Sequence, residues 1–256
     1  MSEDVTANSL GRKTFFLHPS ALTQNHIIDE LAQEEFEVYV IKDELKLKQA
    51  LEFYPNSIVF ASINEALKEN AWIELIQGIN ENPLTGKVDL AFISSTNDEE
   101  TKKKYTELFD SNCGYVVVKS DINKAIRQIV TIMNNVNAKG RRKFIRLITD
   151  KSNTTVNIPI NGTFRTGTIK DISTVGFSCV FEVDPVLPKN GFFADIQLKL
   201  QSQLLKAEAI VFGSRADENE KVYVFLFSKR VGGEVQARIR KFIQVNLQNR
   251  MDEGLK

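Results

Sequence analysis

Two stretches decide how this chain folds and what it binds: Lys139-Gly140-Arg141-Arg142-Lys143-Phe144-Ile145-Arg146 and Asp171-Ile172-Ser173-Thr174-Val175-Gly176-Phe177-Ser178. The first is rich in cations and contains the spacing RxxxR, formed by Arg142 and Arg146. The second contains DxSxxG, inside a run of alternating apolar residues. An arginine guanidinium presents five donors in a planar fork that matches phosphate oxygens two at a time. Together the stretches predict an anion site, in which arginines on an arm face a polar turn on a sheet.

The chemistry of the other side chains narrows the class of ligand. A guanidinium fork also pairs with the O6 and N7 edge of guanine, and its flat face stacks on a ring. Asp171 can accept a hydrogen bond from a base N–H group, and Ser173 can donate or accept one. Gly176 permits a tight turn or a close approach of the backbone to a ligand. The set fits a compact ligand that carries two phosphates and guanine.

The ordered pair of motifs, with β-rich sequence between and after them, resembles the signature of the PilZ domain, a family of bacterial receptors for cyclic di-GMP. The resemblance covers about residues 138–250. It implies that the arginines clamp phosphates and stack on or pair with guanine, while Asp171 and Ser173 hold a base edge. Some family members carry another basic residue after the fifth barrel strand, where Arg215 is predicted to lie. The implied ligand-binding residues are Arg141, Arg142, Arg146, Asp171, Ser173 and Gly176.

Length and composition bound the class of protein. With 256 residues, of which 42% are hydrophobic, the chain can form two globular domains. It has 33 basic and 33 acidic residues, and this balance argues against a general nucleic-acid or membrane-surface binder. The N-terminus lacks the basic start and apolar core of a signal peptide, and no run approaches the ~18 apolar residues of a membrane span. We therefore expect a cytoplasmic protein without membrane insertion.

Histidines and cysteines offer no metal site. His18 and His26 are the only histidines, and no third ligand accompanies them, so we expect a surface or capping role. Cys113 and Cys179 lie in different predicted domains and lack metal-binding spacing. Both cysteines are therefore expected to be free thiols.

The N-terminal half repeats one pattern. After a polar tail (residues 1–11), predicted to be disordered, an apolar run followed by an amphipathic one recurs five times over residues 12–136. The predicted strands cover residues 14–17, 37–41, 57–61, 89–93 and 115–118. They are apolar throughout, which is typical of strands buried on both faces in a parallel sheet. The half is therefore predicted to be a flavodoxin-like or receiver-like α/β domain, with a five-stranded parallel sheet and helices.

The strand ends of this domain lack the chemistry of a working receiver. A receiver that accepts phosphate has an acidic pair after the first strand and an aspartate at the end of the third, whereas His18 and Ser62 lie near those positions here. Ser94 and Lys119 match the positions after the fourth and fifth strands. Without the acidic pocket, Mg²⁺ has no ligands and a phosphoryl group has no acceptor. The sequence predicts a degenerate receiver.

The C-terminal half has a different period. Residues 137–143 are polar and without periodicity, and they are predicted to be both linker and arginine arm. Over residues 144–256, alternating strands are predicted at 155–160, 167–172, 176–182, 192–200, 204–212 and 221–227. Six short antiparallel strands separated by turn residues imply a small closed β-barrel. Residues 234–247 predict a terminal amphipathic helix, which covers a barrel mouth or a partner.

Two hypotheses of function follow. In the first, the chain is a cyclic di-GMP receptor that is not an enzyme, has no cofactor or metal, and signals by domain rearrangement to an unknown downstream protein partner. The resemblance implies that the behaviour controlled is motility, attachment or virulence. In the second, the chain is a protein-interaction scaffold with two degenerate domains and no ligand, against which the intact motif pair argues. An enzyme built on the α/β domain is disfavoured, because the carboxyl ends of its predicted strands lack catalytic side chains.

Overall fold

A computed structural model describes residues 11–85, 87–108, 114–119, 121–150, 153–217 and 220–256. The chain forms two compact units: one extends to Lys143 and includes Gln248–Lys256, and the other is Phe144–Leu247. The sequence analysis assigned residues 144–256 to the second domain, so the two divisions differ in the placement of the C-terminal segment. Residues 1–10 of the predicted tail and Cys113 lie outside the described residues.

The first unit is built on a five-stranded parallel sheet. Its strands are β1 (Thr14–Leu17), β2 (Val38–Ile41), β3 (Ile58–Ser62), β4 (Asp89–Ser94) and β5 (Gly114–Val117). A π-helical turn (Thr23–Ile27) leads into α1 (Ile28–Gln33), which is followed by α2 (Glu44–Phe53), α3 (Glu69–Glu81), α4 (Glu99–Leu108) and α5 (Ile122–Asn135). The strand order β2-β1-β3-β4-β5 is that of flavodoxin-like folds. The predicted receiver-like α/β fold is confirmed.

The strands of this sheet are buried on both faces, as their continuous apolar runs predict. Phe15 and Phe16 are neighbours in β1 whose side chains point to opposite faces, and both are completely buried. Phe16 stacks on Phe60 of β3 with a ring-centroid distance of 4.9 Å, in a cluster that includes α1 and α5. Asp121 caps α5 by accepting a hydrogen bond from the Lys124 amide at 2.9 Å.

The second unit is a closed antiparallel barrel. Its strands are β6 (Leu147–Ile148), β7 (Thr154–Ile160), β8 (Thr163–Ser173), β9 (Gly176–Phe181), β10 (Phe192–Leu200), β11 (Gln203–Asp217) and β12 (Glu220–Phe227). Six of them follow the order β8-β7-β10-β11-β12-β9, and β9 pairs back with β8 to close the barrel. The predicted six-stranded barrel is confirmed, with β6 as an extra strand on β8. A strand of two residues is too short to show an alternation of apolar and polar residues, so the sequence pattern could not predict it.

The terminal helix α6 (Gly233–Gly254) contributes to the barrel core. Ile239, Phe242 and Ile243 are buried and belong to the same apolar cluster as the inward side chains of the strands. This arrangement matches the predicted packing of the helix against the barrel. Cys179 lies in that cluster as a free thiol, and burial raises the pKa of its thiol. Among the described residues, no helix is long and apolar enough to span a membrane.

Candidate functional site

The DxSxxG motif lies on the β8–β9 hairpin. A two-residue turn sets its register, in which Ser173 pairs with Gly176 and Asp171 pairs with Ser178. The register shifts between Ile169 and Asp171, so a β-bulge directly precedes the aspartate. Bulges redirect side chains and are frequent beside functional sites. The local backbone of β8 therefore determines where the Asp171 carboxylate points.

The arginine motif contacts the hairpin through Arg146. β6 pairs with β8 so that Leu147 lies opposite Ile172 and Ile148 opposite Asp171, which places Arg146, the residue before β6, two positions along the ladder from the aspartate. Arg146 Nη1 lies 3.5 Å from Asp171 Oδ1, and the two side chains are 45% and 15% exposed. The structure thus brings one residue of each motif together at the surface of the barrel.

Ser178 is a candidate site residue that the sequence analysis missed. Its hydroxyl donates a hydrogen bond to Asp171 Oδ2, so both oxygens of this carboxylate have a partner. The signal that could have found it is the hairpin register. Counting outward from a two-residue turn after Ser173 places Ser178 opposite Asp171.

Ser173 and Gly176 have partners within the barrel. Ser173 is buried, and its hydroxyl donates to the Gly176 carbonyl oxygen at 3.1 Å. A Cβ on Gly176 would lie 2.1 Å from the Phe225 carbonyl oxygen of β12. A glycine is therefore required at position 176 because the backbone of the neighbouring strand β12 lies so close to it. The predicted ligand contacts of both residues stay predictions.

The remaining cations lie in different surroundings. Arg141 and Arg142 are exposed, and neither has a hydrogen-bond or ion-pair partner in the part of the chain that the structure describes. Their donors are available to an anion. Arg215 was predicted to follow the fifth barrel strand, but β11 continues to Asp217, so Arg215 lies inside it, opposite Val222.

The carboxyl edge of the parallel sheet carries a polar network. His18 Nε2 lies 2.6 Å from Glu44 Oε1, and its ring meets Trp72 edge-on. The His18 side chain is only 11% exposed, so it does not take the surface position that was one of the two roles expected for it. Ser94 at the end of β4 donates to Asn64 Oδ1 at 2.8 Å. Within the described ranges, no group of three or more His, Cys, Asp or Glu residues could hold a metal ion.

Comparisons with known proteins relate the two units to different folds. No family model and no curated protein sequence matches the chain. The PilZ domain of YcgR from Escherichia coli, solved with c-di-GMP, is 16% identical at a TM-score of 0.38, over 44% of this chain and 96% of that one. The MrkH–c-di-GMP complex from K. pneumonia is 17% identical at 0.40, over 45% and 57% of the two chains. The Mn²⁺-bound response regulator Rcp1 is 17% identical at 0.39, over 48% and 92%.

The chain combines a receiver-like α/β unit with a PilZ-like barrel. This assignment follows from the strand orders of the two sheets, and the three similar structures named above each cover less than half of this chain. The chain spans 57% of MrkH and 50% of the longer YcgR chain solved with c-di-GMP. In the PilZ-like barrel, the Arg146–Asp171 pair and Ser178 form the candidate site.

Proposed function

We propose that this chain is a cytoplasmic receptor for cyclic di-GMP with no catalytic activity of its own. The observation that carries the proposal is the pairing of Arg146 with Asp171 at 3.5 Å, because it joins the RxxxR and DxSxxG motifs in one site. Cyclic di-GMP carries a chemical group that suits each of these two side chains. Its phosphodiesters suit a guanidinium fork, and the N–H edge of its guanines suits a carboxylate acceptor.

Ligand binding exchanges one ion pair for two stronger interactions. An exposed arginine that lies 3.5 Å from a carboxylate is held weakly, so its release costs little. A ligand phosphate then takes Arg146, and a guanine edge takes Asp171. Ser178 holds the second oxygen of Asp171 throughout, which keeps the carboxylate oriented when the arginine leaves. The Arg146–Asp171 pair thus keeps the empty site arranged for its ligand.

The exposed arginines of the arm complete the proposed site. Arg141 and Arg142 have donors that are not used within the described residues, and the second phosphate of the ligand supplies their acceptors. Binding therefore draws the arm onto the hairpin and orders the segment between the two units. We propose that this ordering rearranges the domains and signals to a downstream protein. Motility, attachment and virulence are the outputs that the PilZ resemblance implies.

Calorimetric titration of the full chain with cyclic di-GMP tests the proposal. We expect Arg142→Ala and Arg146→Ala each to weaken binding about 30-fold, equivalent to about 2 kcal/mol for a charge-assisted hydrogen bond. Arg165→Ala is the matched control, because Arg165 is an exposed arginine on the same strand as Asp171. It should bind like the parent chain. Motif variants that bind as tightly as Arg165→Ala would contradict the site, and a parent chain that does not bind would favour the interaction scaffold.

A further inference from the structure

We infer that Arg12 is a positioning residue for the proposed cyclic di-GMP site, because it clamps the start of the arginine arm. We call residues 138–140 the arm base. The inference rests on the proposed function and adds how the arm is held. All the contacts that carry it lie within the first unit.

The Arg12 guanidinium is buried at the amino edge of the parallel sheet. Its side chain is 12% exposed and lies 2.5 Å from the Asp89 carboxylate. Its donors also bond three backbone carbonyls, those of Asn56, Ser57 and Val136, at 3.2, 2.9 and 2.8 Å. Val136 directly follows α5, while Ser57 directly precedes β3. The side chain therefore ties the end of the last helix of this unit to the sheet.

The backbone beside Arg12 contacts the arm base directly. The Arg12 amide donates to the Ala138 carbonyl oxygen at 2.8 Å. A Cβ on Gly11 would lie 2.9 Å from that oxygen and 3.2 Å from the Gly140 nitrogen. Both are backbone atoms, so no side-chain movement could make room for the added Cβ. Gly11 and Arg12 thus pack against the arm base over its whole length.

Lys139 adds a third attachment. Its Nζ lies 4.3 Å from the centroid of the Phe36 ring and 4.0 Å from a Glu34 carboxylate oxygen. Ala138 is 4% exposed, and its amide donates to the Met133 carbonyl at 2.8 Å. The arm base is therefore packed against the first unit, although it lies in residues 137–143, which were predicted to be linker and arginine arm.

A packed arm base limits what the ligand must order. Each residue that changes from mobile to fixed on binding costs conformational entropy, which weakens the affinity. Because the arm base is already fixed, Arg141 and Arg142 extend from a held point, and fewer residues must be ordered when they bind the ligand. Releasing the arm base would lengthen the mobile segment. Affinity should fall although no ligand contact is removed.

Two variants release the arm base by different means. Arg12→Ala removes the bonds of the guanidinium, whereas Gly11→Val inserts a side chain against two backbone atoms of the arm base. Leu75→Ala is the control for loss of stability, because it truncates a buried side chain of α3 and leaves the clamp intact. Hydrogen exchange of residues 138–140 is measured without ligand, and cyclic di-GMP affinity is measured on the same full-length samples.

We expect both clamp variants to lose amide protection over residues 138–140 and to bind more weakly by about 30-fold or more, as two or three more residues must be ordered. Leu75→Ala should keep the protection and the parent affinity. Clamp variants that lose protection yet bind like the parent would overturn the inference while leaving the proposed function intact. Retained protection in both variants would overturn it too. A parent chain that does not bind would instead remove the proposed function, and the inference with it.

Discussion

The Phe225 carbonyl oxygen occupies the space that a side chain at position 176 would need. The two positions lie on neighbouring strands, one step apart in the register, because β9 pairs with β12 with Leu226 opposite Gly176 and Phe225 opposite Phe177. A glycine required by sheet packing and a glycine required by a ligand are identical in sequence. Only the distance of 2.1 Å from an added Cβ to this oxygen shows the packing requirement. Loss of binding in a Gly176 variant would therefore not prove a ligand contact.

Gly176→Ala should destabilise the barrel by about 3 kcal/mol, because the added Cβ meets backbone and forces β9 and β12 apart. Gly213→Ala is the matched control on β11, where an added Cβ meets nothing within 4 Å. It should change the free energy of unfolding by less than ~1 kcal/mol. Urea denaturation followed by far-ultraviolet circular dichroism measures both. Equal stability of the two variants would show that the strands separate at no cost.

At the scale of elements, the connection between β9 and β10 is tied to β12 by one carboxylate. Asp184 accepts hydrogen bonds from the Tyr223 hydroxyl, from the Val186 amide at 2.9 Å and from Lys221 Nζ at 3.0 Å. The Leu187 amide also donates to the Tyr223 oxygen at 3.3 Å. A segment without regular secondary structure is thereby fixed to the barrel wall.

The same contacts predict a pH dependence of stability. The hydrogen bond from Tyr223, with those from Val186 and Lys221, lowers the pKa of Asp184 from 3.8 to about 2. A carboxyl with a lowered folded pKa stabilises the protein above its unfolded pKa, and this contribution is lost as the pH falls through the folded value. Asp184→Asn should therefore lower the thermal midpoint at pH 6, and the difference from the parent should shrink between pH 4 and pH 2 (roughly the span of the two pKa values).

Glu182→Gln provides the control for this experiment. Glu182 is an exposed carboxylate two positions before Asp184 in the same connection. Its variant should follow the parent midpoint at every pH. A midpoint difference for Asp184→Asn that does not vary with pH would show that the charge of the carboxylate does not contribute.

At the scale of the whole molecule, the arm is part of both the covalent link between the units and the proposed ligand site. In the proposed function, the cations of the arm repel each other before the ligand binds, and the two phosphates of the ligand neutralise them. We propose that ordering this segment changes which domain arrangements are populated. A ligand shifts such an equilibrium only by its differential affinity for the arrangements, so shape and occupancy must change together.

Small-angle scattering of the full chain should change with cyclic di-GMP, saturate at the stoichiometry of binding and remain unchanged in Arg142→Ala. Hydrogen exchange across residues 141–145 should slow in the same titration, because the arm becomes ordered. Arg165→Ala again serves as the control and should behave like the parent. Protection of the arm without a change in scattering would rule out domain rearrangement and assign the signal to the barrel surface.

Much of the secondary structure could be predicted from the sequence, because the period of apolar residues records which side of each element is buried. The predicted strands at 14–17 and 192–200 match β1 and β10. The prediction for β11 ended at residue 212, before Gly213, but the strand continues to Asp217. A register shift between Val211 and Gly213 leaves Phe212 out of the ladder, and pairing with β12 resumes at Gly213, opposite Val224. The partner strand overrides the local signal there.

The sequence by itself determined the two fold classes and the residue types of the motif pair, because burial periodicity and side-chain chemistry are local properties. Tertiary structure alone decided two relations: Phe225 against Gly176, and Arg12 beside the arm base. Each joins residues from segments that are distant in sequence. Pairing register is set by contacts between segments distant in sequence, and no single segment contains that information.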